Sequence, residues 1–167
     1  LTLVAIDLST KKVAIAVFDG EATVPRLIEV VASGARAADR FDALMANFRN
    51  RLGQLTPVGR AFIEDISFVR GRRAELDLAK VLGGVVAHLV DAGIPYVTVN
   101  NMVWKRDLGL GGRASKSDIA GYVAGRWLGL KIPSQDTADA LCVLEWGIIQ
   151  YRKGVLDGQE LAEAQGG

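Results

Sequence analysis

Four carboxylates fall where a solvated surface has no need of them. Asp7 closes the run Leu3, Val4, Ala5, Ile6, and Glu64 closes Ala61, Phe62, Ile63. Both runs are apolar at nearly every position, as central strands buried on both faces are. In "SQDTADALCVLEWG", Asp136 and Asp139 stand three apart at the start of a helical pattern and so share one face. Taken singly, an Asp after a strand serves as a turn residue, and one that opens a helix serves as a cap or dipole partner. Gathered beside one core, the four would repel one another and be costly to desolvate, and a cation relieves all of them at once. Magnesium suits such a set, because it takes a few carboxylates and keeps waters for exchange with substrate oxygens. No nucleophile competes for the role. Cys142 is the single cysteine, and the single histidine, His88, lies mid-helix in "VVAHLV" as a packed or surface residue.

Cations follow the second acid. "FIEDISFVRGRR" places Arg70, Arg72 and Arg73 just beyond Glu64. Residues 70 to 131 hold ten Lys/Arg against five Asp/Glu, net +5, in a chain of net charge +1, which leaves −4 for the remainder. A basic stretch beside an acidic remainder points to a polyanion handled by one face. The Gly-rich "GLGGRASKSD" carries Arg113 and Lys116 into the start of a helix, where a phosphate can approach closely.

The elements that must position these residues read as follows. "LVAIDL" (3 to 8), "KVAIAVFD" (12 to 19) and "RLIEVVAS" (26 to 33) are strands joined by short turns. Phe41, Leu44, Met45, Phe48 and Leu52 recur at helical spacing over 37 to 55. A fourth strand (60 to 66), a long helix (74 to 93) and a fifth strand (96 to 100) follow, then helices near "NMVWKRD", over 117 to 128 and over 137 to 151. The expected fold class is α/β, a five-stranded mixed sheet in the order βββαβαβ plus C-terminal helices, with helices on both faces. At 167 residues, half of them apolar and 23% charged, the chain suits one domain, expected over 1–153, with a polar, disordered tail over 154–167. One cysteine and a start, "LTLVAIDLST", without signal-peptide character give a cytoplasmic expectation, with no membrane partner.

"AIDLSTKKVAIAVFD", "FIEDISF" and "QDTADALCVLEWG", in this order and spacing, resemble the RuvC family of Holliday-junction resolvases within the RNase H-like nucleases. The resemblance runs over about residues 3 to 150. It implies an RNase H-like fold and an endonuclease that cuts four-way junctions with paired symmetric nicks. It also implies that Asp7, Glu64, Asp136 and Asp139 hold two Mg²⁺ ions, replaceable by Mn²⁺, one activating water and the other stabilising the leaving 3′-oxygen. Such ions lie roughly 4 Å apart and clamp both oxygens of an in-line displacement. Lys105 in "VWKRD" and Lys116 match family lysines that lie by the DNA, Lys116 with a catalytic part. Phe68 is the candidate for the aromatic wedge of the family, although it stands four residues after Glu64 where the pattern has three, the position of Ser67. A homodimer is implied too, and the Gly83-Gly84 step in the long helix is the expected place for two copies to meet, although packing on the chain's own sheet would explain it equally.

Three other readings share these residues. A related RNase H-like nuclease would act on flaps, forks or RNA. A non-catalytic branched-DNA binder would have no use for intact acids. An actin-like or sugar-kinase-like ATPase needs a second domain and a second phosphate loop, which this sequence lacks, so no nucleotide cofactor is expected.

Overall fold

The computed structural model describes residues 1–20, 22–34, 36–55, 57–66 and 71–156. Ten elements follow one another: β1 Thr2–Leu8, β2 Lys12–Asp19, β3 Arg26–Val31, α1 Ala37–Gly53, β4 Val58–Glu64, α2 Arg72–Asp91, β5 Tyr96–Val99, α3 Asn101–Asp107, α4 Lys116–Arg126 and α5 Gln135–Arg152. The five strands form one sheet in the order β3-β2-β1-β4-β5. The hairpin-joined β1, β2 and β3 pair antiparallel, and β4 runs parallel to both β1 and β5. The expected mixed sheet is present.

Strand alternation divides the core in two. Val4, Ile6, Ile15, Ala61 and Ile63 face α1 and α2 through Leu44, Phe48, Val81, Val85 and Leu89. Leu3, Ala5, Ala14, Ala16 and Phe62 face α3, α4 and α5 through Trp104, Ile119, Val123, Leu141 and Leu144. The small Ala5, Ala14 and Ala16 let α5 lie close across the sheet, and its residues 137, 138 and 140 to 148 are buried.

One expectation changes here. Gly84 is where α2 meets α1 of its own chain, since a Cβ there would stand 2.5 Å from Met45 Sδ and 3.3 Å from Phe41 Cζ. It is therefore an internal packing residue and not a meeting point for two copies. Gly83, one step round the helix, has nothing within 4 Å. At the other end of the chain, Leu156 is buried against the α5 side of the core, so packing runs past residue 153. Residues 157–167 lie outside the described residues.

Candidate nuclease site

Parallel pairing brings the two strand acids together. Ile6 pairs with Ile63, so the next residues along β1 and β4 are Asp7 and Glu64. Alternation from Ala5 and Phe62 turns both onto the α5 face. The two carboxyl groups are therefore close enough to act on each other electrostatically. Burial, and then the charge of Glu64, hold the Asp7 carboxyl far above the usual carboxylate range, with smaller contributions from Asp139 and Asp136. Glu64 Oε1 also accepts from the indole Nε1 of the buried Trp104, at 3.3 Å. A cavity of about 160 Å³ opens at these strand ends, lined by Asp7, Glu64, Asp65, Leu78 and Asn101 among others.

The helical pair arrives through a cap. Ser134 accepts from the backbone of Thr137, whose hydroxyl accepts in return from the backbone of Ser134, so α5 begins at Gln135. Asp136 and Asp139 consequently lie in its first two turns, with Asp136 where the helix dipole favours an anion. Burial and the neighbouring Glu64 push the Asp139 carboxyl up to about 6, against the opposing pull of a hydrogen bond from Gln135 and the charge of Lys105. Gln135 Nε2 donates to Asp139 Oδ1 at 3.0 Å.

Asp136 has a protein partner: its Oδ2 lies 3.0 Å from Lys12 Nζ. The same ammonium reaches Glu29 Oε1 at 2.9 Å and Ser134 Oγ at 3.0 Å. Ser134 Oγ also donates to Glu29, and this bond, followed by the one from Lys12, holds the Glu29 carboxyl below its usual range.

The four acids thus act on one another electrostatically from the ends of β1 and β4 and the start of α5. Among the described residues, no set of three or more His, Cys, Asp or Glu side chains is arranged to hold a single ion. The donor chemistry nonetheless fits a hard divalent cation: the four converging groups offer carboxylate oxygens, and burial together with their mutual repulsion raises two of the four. Cys142, pushed up to about 12 by burial and then by Asp139, is a neutral thiol and offers no soft ligand.

The expected cations separate into three groups. Lys105 joins the acids, since its charge acts on Asp139 while its Nζ sits 5.3 Å over the Trp104 ring. Its helix is fastened to α5 by Trp146 Nε1, which donates to Asp107 Oδ2 at 3.0 Å. Arg113 and Lys116 are exposed at the approach to α4 and at its first position, behind the capping box of Ser115 and Asp118. Arg72 and Arg73 are exposed as the first two residues of α2, so they are helical and not in the loop the sequence suggested. Phe68 and Arg70 lie outside the described residues, as does Ser67. His88 is packed edge-on against Phe48, centroids 5.8 Å apart, away from the acids.

Sequence reasoning missed Lys12, Glu29, Trp104, Ser134 and Gln135. Lys12 carried a signal: it is in phase with Ala14 and Ala16, which places it on the α5 face.

The fold has counterparts among solved structures. Thermus thermophilus RuvC superposes with a TM-score of 0.74 at 25% identity, covering 92% of this chain and 97% of that one. The fold is RuvC-like. T. thermophilus RuvC in complex with Holliday junction substrate gives a TM-score of 0.77 at 24% identity, covering 92% and 96%. The yeast mitochondrial Holliday junction resolvase Ydc2 gives 0.55 at 12% identity, covering 91% and 83%. No family model and no curated protein sequence matches the chain. The RuvC-like fold is RNase H-like, an α/β architecture with this strand order. Among the described residues, no helix is long and apolar enough to cross a membrane.

Proposed function

We propose that the chain is a structure-selective DNA endonuclease that resolves four-way junctions by hydrolysing phosphodiesters at Asp7, Glu64, Asp136 and Asp139. The observation that carries this reading is the convergence of Asp7 and Glu64, at the ends of β1 and β4, with Asp136 and Asp139, at the start of α5, in a RuvC-like fold. These acids would hold two Mg²⁺ ions, which supply an activated water and charge stabilisation for the leaving oxygen. The protein's own groups do the rest. Trp104 fixes one oxygen of Glu64 and Gln135 fixes one of Asp139, so the acids are presented in defined directions. Lys105 brings positive charge to the rim, where a scissile phosphate needs it. Lys116, Arg113, Arg72, Arg73 and, beyond the described residues, Arg70 bind flanking phosphates, while Phe68 is retained as the wedge candidate. Two arginines opening α2 oppose the helix dipole and do nothing for the stability of the helix, which favours a role toward an outside anion.

Paired cuts need two active sites, and one chain carries one set of acids. A second copy would pack on the outer face of α2, where Leu76 and Val90 are 54% and 61% exposed and Ala79, Gly83 and Ala87 lie exposed between them at helical spacing.

The test is incubation of labelled four-way junction, flap, fork and linear duplex with the protein in Mg²⁺, followed by mapping of the nicks. Symmetric paired cuts in the junction, abolished by Asp7→Asn with junction binding retained, are expected. Cleavage confined to flaps or forks, or undiminished in Asp7→Asn, would sink the reading.

A further inference from the structure

Lys12 is the one cation among the described residues in an ion pair with any of the four acids. It opens β2 on the α5 face, its side chain 20% exposed, and its three donors meet three acceptors: Asp136 Oδ2, Glu29 Oε1 and Ser134 Oγ. Two of these acceptors lie outside the acid cluster. Glu29 pairs in register with Ala14 on the neighbouring strand, and Ser134 caps α5. The ammonium can therefore leave Asp136 and remain bonded.

We propose that Lys12 is an internal counter-ion that reserves Asp136: it neutralises this carboxylate in the metal-free protein, and a divalent cation gains Asp136 as a ligand only by displacing it. This rests on the nuclease reading. The physical ground is competition. A carboxylate already paired at 3.0 Å gives up that attraction when it turns to another cation, and a displaced ammonium left nearby repels the newcomer. Asp7, Glu64 and Asp139 are in none of the ion pairs among the described residues, so a cation that approaches them displaces no paired ammonium, and Lys105 acts on Asp139 only through its charge. The chain consequently takes up divalent ions in two unequal steps, and the residue that separates the steps is Lys12. Glu29 and Ser134 keep the displaced ammonium close enough to return when the ion leaves.

A purely mechanical role, tethering the start of α5 to the sheet, would alter stability without touching the second step. Mn²⁺ binding measured by calorimetry without DNA separates the two. The parent protein should bind in a tight and a weak step, Lys12→Gln should tighten the weak step by about tenfold, and Lys12→Arg should restore the parental isotherm. On the unmutated protein, with lysine side chains labelled for NMR, the Lys12 signal should move across the weak step alone. Identical isotherms for parent and Lys12→Gln, or a Lys12 signal unmoved through both steps, overturn the proposal while leaving the nuclease reading intact. A parent protein that binds no Mn²⁺ at millimolar concentration overturns both. If Lys12→Gln does not fold, the NMR titration decides alone.

Discussion

The indole of Trp104 donates to Glu64 Oε1 across 3.3 Å, joining the first turn of α3 to the end of β4. Trp104 is fully buried, so the contact holds one carboxylate oxygen and leaves the other for work in the cavity. Trp104→Phe keeps most of the packing and removes the donor. The loss of one hydrogen bond to a charged group, together with a small cavity, should cost about 2 kcal/mol of stability. Cleavage turnover should fall about tenfold with junction affinity unchanged, as loss of an orienting partner does. Single-turnover kinetics beside equilibrium binding check this; unchanged turnover would make Trp104 packing alone.

Asp139 gives a pH dependence whose sign follows from its environment. Its carboxyl titrates near 6 in the folded chain against 3.8 ordinarily, so the folded state binds that proton more tightly. Its stabilising contribution is complete below about pH 4 and is lost as pH rises through 6. Asp7 shifts the same way. The metal-free protein should therefore lose melting temperature between pH 5 and pH 7, and Asp139→Asn should gain on the order of 2 kcal/mol at pH 7.5. Saturating Mg²⁺ should flatten the slope. Calorimetric melts with and without chelator decide it, and a metal-free melting temperature that rises over this range would refute the assignment.

The neighbouring glycines of α2 should behave in opposite ways. Gly84→Ala drives a methyl toward Met45 and should destabilise the fold by about 1–3 kcal/mol through overpacking. Gly83→Leu meets no internal neighbour and should raise helix stability by up to about 1 kcal/mol while weakening self-association. Thermal melts read the first effect and sedimentation the second. A monomeric parent protein would remove the paired-copy proposal.

The exposed cations should be visible in salt dependence. Arg72→Ala and Lys116→Ala should each flatten the slope of log K against log salt for junction binding by roughly 0.9, the value for one phosphate contact on a duplex arm. Titrations from low to moderate salt give the slope directly, and a variant with the parental slope carries a residue that merely faces solvent.

Much of this architecture was legible because its signals are periodic. Continuous apolar runs announced β1 and β4, and Phe41 to Leu52 announced α1, so element order and sheet type could be read before any contact was known. Boundaries were less legible where polar residues carry the helix. α2 opens on two arginines that read as loop, and the cap of α5 is Ser134 with Thr137, where a Glu or Gln is the usual partner. The acids could be found because each ends an apolar run or shares a helix face. Lys12 could not be paired, because its partners come from β3 and from the far end of the chain. Gly84 announced close packing without saying whose helix approaches.

The acids arise at residues 7, 64, 136 and 139, and the last two sit on the helix that closes the core against the sheet. A chain still being synthesised can form its hairpin and even pair β4 with β1, but it holds half the carboxylates until α5 has emerged and docked. The same applies to a fragment clipped anywhere before Gln135. On the nuclease reading proposed above, a product truncated before Gln135 lacks half of the acids and should be inactive, so completion of the site is tied to docking of the last helix.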